Sequence, residues 1–167
     1  WNLNTDTPLP PDEPSGENPP DGAIVDYFLA RDARSVTLEL FDSSQNLVRT
    51  YSSDDVPDTV REKDLRIPAY WLPQPRALSK KAGMHRFVWD LHFAPPKGFQ
   101  RSYPISATPN HTAAEPLGPW VQPGTYTMTL HTDGRKFTQP LTVRMDPRVK
   151  ARPEKLQEQF SLSMECY

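Results

Sequence analysis

Four histidines, one cysteine and several closely spaced carboxylates are the residues that could carry catalysis or hold a metal. His85, His92, His111 and His131 form no HxH or HExxH pattern and no pairing with cysteine at zinc spacing. His85 and His92 fall on opposite parities of one strand region, so they point to opposite faces and do not converge on a metal. Asp54, Asp55 and Asp58 lack the regular oxygen-ligand spacing of a calcium loop and read as a solvated acidic loop. Asp90 follows Trp89 at a strand end; a catalytic carboxylate there would need a second at a fixed separation, and none is identified. Asp90 reads instead as the cap of the turn after the strand. Cys166 reads as a helix-face residue, because a reactive thiolate needs a base and an electropositive site. There is no GxSxG, Walker loop or GxGxxG. The sequence points to no catalytic residue, no metal and no cofactor, and so to a protein that is not an enzyme.

The aromatic residues carry more information. Tyr70, Trp71, Phe93, Phe99, Tyr103 and Trp120 lie in or beside stretches without periodicity. Flat rings with a polar tip suit protein partners and sugar rings alike. Tyr70, Trp71, Phe99, Tyr103 and Trp120 are therefore the candidate ligand or partner surface. A carbohydrate platform would require Trp71, Trp120 or Tyr103 to lie coplanar and exposed along one shallow groove. Packing under long loops or against a neighbouring domain requires no such groove. Asn110-His111-Thr112 fits the N-glycosylation pattern, which has meaning only in a eukaryotic secreted protein.

These residues must be held by strands. Gly83 to Leu91 and Gln122 to Leu130 each start near a glycine and then alternate apolar with polar residues, as half-buried antiparallel strands do. Val36, Leu38 and Leu40 share one face of another strand, and Asp42-Ser43-Ser44-Gln45-Asn46 is turn chemistry before a partner at Leu47 to Tyr51. Ala23 to Leu29 reads as a first strand and Ile67 to Leu72 as a short edge strand. Asp133-Gly134 signals a hairpin between Thr125–Thr132, with Tyr126, Met128 and Leu130 inward and Thr129 outward, and Phe137–Val143, with Phe137, Leu141 and Val143 inward. Pro140 argues for an edge or a bulge there. The predicted core is Val36, Leu38, Leu40, Phe87, Trp89, Tyr126, Met128, Leu130, Leu141 and Val143. Residues 154–167 have helical spacing, with Leu156, Phe160 and Met164 on one stripe as a candidate helix interface, and Pro153 suits the first turn.

Composition bounds the rest. The chain has 167 residues, room for one domain with appendages. Twenty prolines against seven glycines demand extended, ordered loops, because proline cannot donate to a ladder. A net charge of −2 with scattered Lys and Arg excludes a basic nucleic-acid face. No run of apolar residues is long enough for a transmembrane helix, so no membrane insertion is expected. The organisation that follows is a proline-rich linker or strap over residues 1–20, a β domain over 21–146 and a truncated helical segment over 147–167. The start at Trp1 and the unfinished apolar stripe read as a fragment of a longer protein.

VTLELFDSSQNLVRTY (36–51), GMHRFVWDL (83–91) and PGTYTMTLHTDGRKFTQPLTV (123–143), in that order, resemble the Ig-like domain of bacterial flagellar hook-capping proteins and related secretion-associated modules. In that pattern Asn46 stands where the hairpin glycine usually sits, and asparagine tolerates the left-handed geometry. ENPPDGAIVDYFL (17–29) and MDPRVKARPEKLQEQF (145–160) further resemble the C-terminal region of bacterial secreted proteins with BNR/sortilin-like β-propeller repeats. The resemblance implies an immunoglobulin- or fibronectin-III-like β-sandwich of about seven antiparallel strands with long proline-rich loops and a short C-terminal helix. It implies a secreted, periplasmic or cell-surface setting. It also implies a non-catalytic accessory domain that docks on a preceding propeller of the same protein, or on another protein. Any hydrolase activity of such a parent would lie outside this chain. A carbohydrate-binding module using the loop aromatics, with a polysaccharide as partner, is the alternative.

Overall fold

The computed structural model describes residues 14, 16, 19–56, 63, 65–72, 77–104 and 112–167. Most of the proline-rich segment 1–20 lies outside these residues, as do Asp58, Asn110 and His111. Among the described residues the protein is all-β in class, with six strands in two antiparallel sheets and one C-terminal helix. β1 (Ala23–Leu29) pairs with β4 (Gly83–Trp89) in a two-stranded ribbon. β2 (Val36–Phe41), β3 (Leu47–Ser52), β5 (Gly124–Thr132) and β6 (Arg135–Val143) form the other sheet in the order β3-β2-β5-β6. The helix α1 spans Pro153–Cys166 with its proline in the first turn. No helix among the described residues is long and apolar enough to cross a membrane.

Strand alternation places one residue set of each sheet in a shared core. Leu38 is paired with Leu130 and Tyr51, and Leu40 with Met128 and Arg49, so all of these lie on one face of the larger sheet. Tyr27, Leu29, Phe87 and Trp89 come from the ribbon and join Val36, Leu38, Leu40, Val48 and Tyr126 in one buried cluster. Trp89 is 0% exposed, meets the Tyr126 ring edge-on at 5.7 Å and donates its indole N–H to the His92 carbonyl at 3.1 Å. That bond satisfies the one polar atom this large ring carries into the core. Of the predicted core, Met128, Leu130, Leu141 and Val143 are only partly buried against this cluster.

The turns explain the register. Asp133 and Gly134 both adopt positive φ, 46° and 75°, which lets two residues close the β5–β6 hairpin. In the β2–β3 turn it is Gln45 (φ 64°), not Asn46, that takes the left-handed conformation. The Asp42 carboxylate imposes this: it accepts the backbone N–H of Ser44 and of Asn46, both at 2.8 Å, and Asn46 is spent as a further donor to it at 2.9 Å.

One sequence expectation fails, and two hold in the direction the side chain faces but not in how deeply it is buried, each for an identifiable reason. Ile67 to Leu72 is no strand; Ala69–Trp71 is a single 3-10 turn closed by Trp71 N–H to the Pro68 carbonyl at 3.0 Å. Pro68 has no N–H for a ladder and leads into the turn with φ −59°. Phe137 faces the core side by register, opposite Leu130, yet is 52% exposed. A two-stranded ribbon is too narrow to cover the last strand of a four-stranded sheet. Thr129 faces outward, opposite Glu39 and Thr138, yet is only 2% exposed. Its small side chain sits between these neighbours on the middle of the sheet, its hydroxyl 3.4 Å from that of Thr138.

Candidate functional site

A polar constellation forms where β4 ends. Leu91 takes φ 60°, an uncommon conformation for a branched residue, and turns the chain away from the ribbon. Residues 119–121 then return alongside: Phe93 N–H donates to the Pro119 carbonyl at 2.9 Å, and Val121 N–H to the Leu91 carbonyl at 2.8 Å. This close approach depends on Gly118, where a Cβ would stand 2.3 Å from the Ala94 carbonyl oxygen. The result is a bridge between His92 and Trp120.

His92 is buried, with its ring centroid 3.7 Å from that of Trp120 at 40°. With one face against His92, Trp120 is nevertheless 58% exposed, so its remaining ring surface is turned to solvent. Asp90 organises the turn as a cap: its carboxylate accepts the His92 backbone N–H at 3.2 Å, and its carbonyl lies 2.9 Å from His92 Nδ1. The Tyr51 hydroxyl donates to the same carboxylate at 3.4 Å. Arg49 closes the group, donating to the Phe93 carbonyl at 2.7 Å while its guanidinium lies 4.9 Å over the Tyr51 ring. Burial holds the His92 pKa below its ordinary value, against the pull of Asp90 and Asp21, and Arg49 adds to the lowering. Burial also pushes the Tyr51 hydroxyl well up, helped by the Asp90 charge, so it stays a neutral donor. These groups hold one another and the loop backbone; the surface they offer outward is the face of Trp120.

The other predicted aromatics are distributed differently. Trp71 is 8% exposed and packs with Ile67, Leu72 and Tyr103 in a small second cluster. Tyr70 meets Trp71 edge-on at 6.3 Å and is itself exposed, as is Phe99. Trp71 and Tyr103 are thus brought together, but as packing beneath the loops, with the Trp71 carbonyl accepting Thr112 N–H at 3.2 Å. Trp71 therefore cannot line an exposed groove beside Trp120. Thr112 of the glycosylation pattern is buried.

The predicted helix interface turns inward. Leu156, Phe160 and Met164 are the half-buried side of α1. Phe160 packs 5.9 Å and Tyr167 6.2 Å from Phe93, and the Gln122 amide donates to the Leu156 carbonyl at 3.3 Å. The stripe thus rests on the chain's own loop.

Several other titratable groups serve local structure. Asp54 pairs with Lys80 at 2.9 Å, and Asp55 accepts Ser52 N–H at 2.7 Å. His131 lies 2.9 Å from Glu39 across the outer face, and His85 Nε2 is 2.6 Å from the Lys81 carbonyl. Among the described residues no three His, Cys, Asp or Glu side chains gather as a metal site would need. Sequence reading overlooked Arg49 and Tyr51. Their signal was parity, since both pair with core-facing residues of β2.

The fold is all-β in class, with two antiparallel sheets and an appended helix among the described residues. No protein-family model, curated protein or solved structure matches the chain.

Proposed function

We propose that this chain is a non-catalytic interaction domain, an immunoglobulin- or fibronectin-III-like sandwich within a larger secreted or cell-surface protein. Its partner on this reading is a β-propeller, in the same protein or another. The observation that carries the reading is Trp120. One face of the ring is pinned on buried His92, and the other is presented to solvent. A large aromatic that is already immobilised loses little entropy on binding, which is how dominant residues at protein interfaces work. Asp90, Tyr51 and Arg49 act as supports that fix the loop beneath it. The sequence resemblance supplies the propeller.

The same exposed ring favours a second reading, a carbohydrate-binding module in which Trp120 stacks on a sugar ring. One variant separates the two. Trp120→Ala, checked for folding by circular dichroism, is compared with the parent in calorimetric titration against the propeller segment of the full-length protein. Both are also tested for retention on a polysaccharide panel. Propeller binding lost in the variant supports docking. Polysaccharide retention lost in the variant transfers the site to sugars. A parent that binds neither, or a full-length protein without propeller repeats, refutes the docking reading.

A further inference from the structure

The two-stranded ribbon has a feature that neither reading uses. Among the described residues, no backbone hydrogen bond joins the outer edge of β1 to anything else. An open edge is a row of unpaired N–H and C=O groups that templates another strand, and proteins usually blunt it with lysine, proline or inward charge. β6, the edge of the larger sheet, is blunted in this way by Arg135, Lys136 and Pro140. β1 is not: six of its seven residues, AIVDYFL, are apolar and the seventh is Asp26. Its outer face is also bare, with Phe28 65% exposed beside its cross-strand neighbour Met84 at 72%.

We propose that the β1 edge is a self-association site, and that its occupant is β1 of a second copy of this chain, antiparallel about a two-fold axis at Asp26. The strand is self-complementary. Asp26 is the midpoint of the strand, so the two-fold pairs all seven residues without overhang. Ile24 then stands opposite the second copy's Phe28 on the outer face. Val25 stands opposite its Tyr27 and Ala23 opposite its Leu29 on the core side. Directly opposed β-branched, aromatic and aliphatic residues are the favourable cross-strand pairs.

The centre brings Asp26 against the second copy's Asp26, which would repel if bare. It is not bare. Arg86 Nε and Nη2 each donate to the Asp26 carboxylate at 2.8 Å, and this pairing holds the carboxyl below its usual range. Nη1 is not committed to that carboxylate, so the guanidinium keeps donors for a second one. Two Asp26 and two Arg86 make a neutral quartet. β4 offers a poorer edge, for a two-fold at Arg86 would set Gly83 against Trp89 and His85 against Phe87. The β1 pairing yields a continuous sheet in the order β4-β1-β1-β4, an isologous contact that closes at two copies.

The test is sedimentation equilibrium of the whole chain over a wide concentration range. The apparent mass is expected to rise from 19.0 kDa toward twice that value. Ile24→Lys/Phe28→Lys places like charges directly opposite across the axis and is expected to hold the mass at 19.0 kDa. Ile24→Glu/Phe28→Glu is expected to do the same. An equal mixture of the two is expected to restore the doubled mass, because each lysine then faces a glutamate. Phe137→Lys on β6 is expected to leave the parent behaviour unchanged. A parent that stays at 19.0 kDa, a mixture that fails to pair, or assembly that grows beyond two copies overturns the proposal. Urea midpoints and circular dichroism of each variant exclude unfolding as the cause.

Discussion

The two sheets of this protein treat their margins in opposite ways. β6 carries Arg135, Lys136 and Pro140 along a strand that is exposed over most of its length, and its core-side Phe137 is left half-uncovered. The ribbon β1–β4 carries its only outer-face charges as one internal pair, Asp26 with Arg86, and surrounds them with Ile24, Phe28 and Met84. Similar exposure of apolar surface therefore has two meanings. On β6 it comes with devices that prevent strand addition; on β1 it comes without them. Under the proposed pairing, exposure marks a contact surface only where the edge is unguarded.

The comparison requires the ribbon to be held by its inner face alone. Trp89→Ala removes the largest side chain beneath it and is expected to cost about 3–5 kcal/mol in urea unfolding. A loss below about 1 kcal/mol would show that the ribbon is anchored elsewhere. Gly118→Ala should cost about 1–3 kcal/mol, since its Cβ would press on the Phe93 and Ala94 carbonyls and push apart the two segments that the Phe93–Pro119 and Val121–Leu91 hydrogen bonds hold together beside Trp120. A neutral outcome would mean that this loop yields freely and does not fix Trp120.

Acid should weaken the same end. His92 is neutral in the fold, with its pKa below the ordinary 6.5, whereas the unfolded chain takes up a proton at that value. Its contribution is complete above pH 6.5 and declines as pH falls from there toward the folded pKa. Asp90 and Asp21 resist this and Arg49 reinforces it. The urea midpoint of the parent should drop across that window more than that of His92→Gln; equal slopes would remove His92 as the source.

Smaller effects separate the margins directly. Lys136→Val/Pro140→Val strips the guard from β6 and should raise the weight-average mass in light scattering, with stability changed by less than about 1 kcal/mol. Phe137→Lys alone should move stability by no more than about 0.5 kcal/mol. If unguarding β6 changes nothing, edge chemistry is not what distinguishes the two sheets.

Period-two alternation made β2, β4 and β5 legible, because each has one face in the core, and Asp133-Gly134 placed the last hairpin. The same rule misled where burial depends on what lies opposite. Phe137 has the right parity and too narrow a cover, while Thr129 has the wrong parity and crowded neighbours. Arg49 shares the parity of Tyr51, but the register shift between Leu40 and Phe41, where Val48 is the extra residue of a bulge, interrupts the alternation immediately before it. The stacking of Trp120 on His92 left no trace in any local pattern. It is made by a non-local bridge that Leu91 and Gly118 permit through backbone geometry.

The seating of α1 on Phe93 has a mechanical consequence. Suppose tension is applied between Pro20 and Tyr167. β1 then carries the load through a ladder of seven register pairs with β4, whereas among the described residues α1 leans on the loop through the Phe160–Phe93 ring contact, the Gln122–Leu156 hydrogen bond and half-buried Leu156 and Met164, with Tyr167 just beyond it also against Phe93. The helix is expected to peel first, lengthening the chain while both sheets remain intact. It acts as a fuse, and its release bares Phe93 one residue from the His92 that supports Trp120. A pull on the chain would thus be felt at the exposed tryptophan well before the strands themselves begin to part.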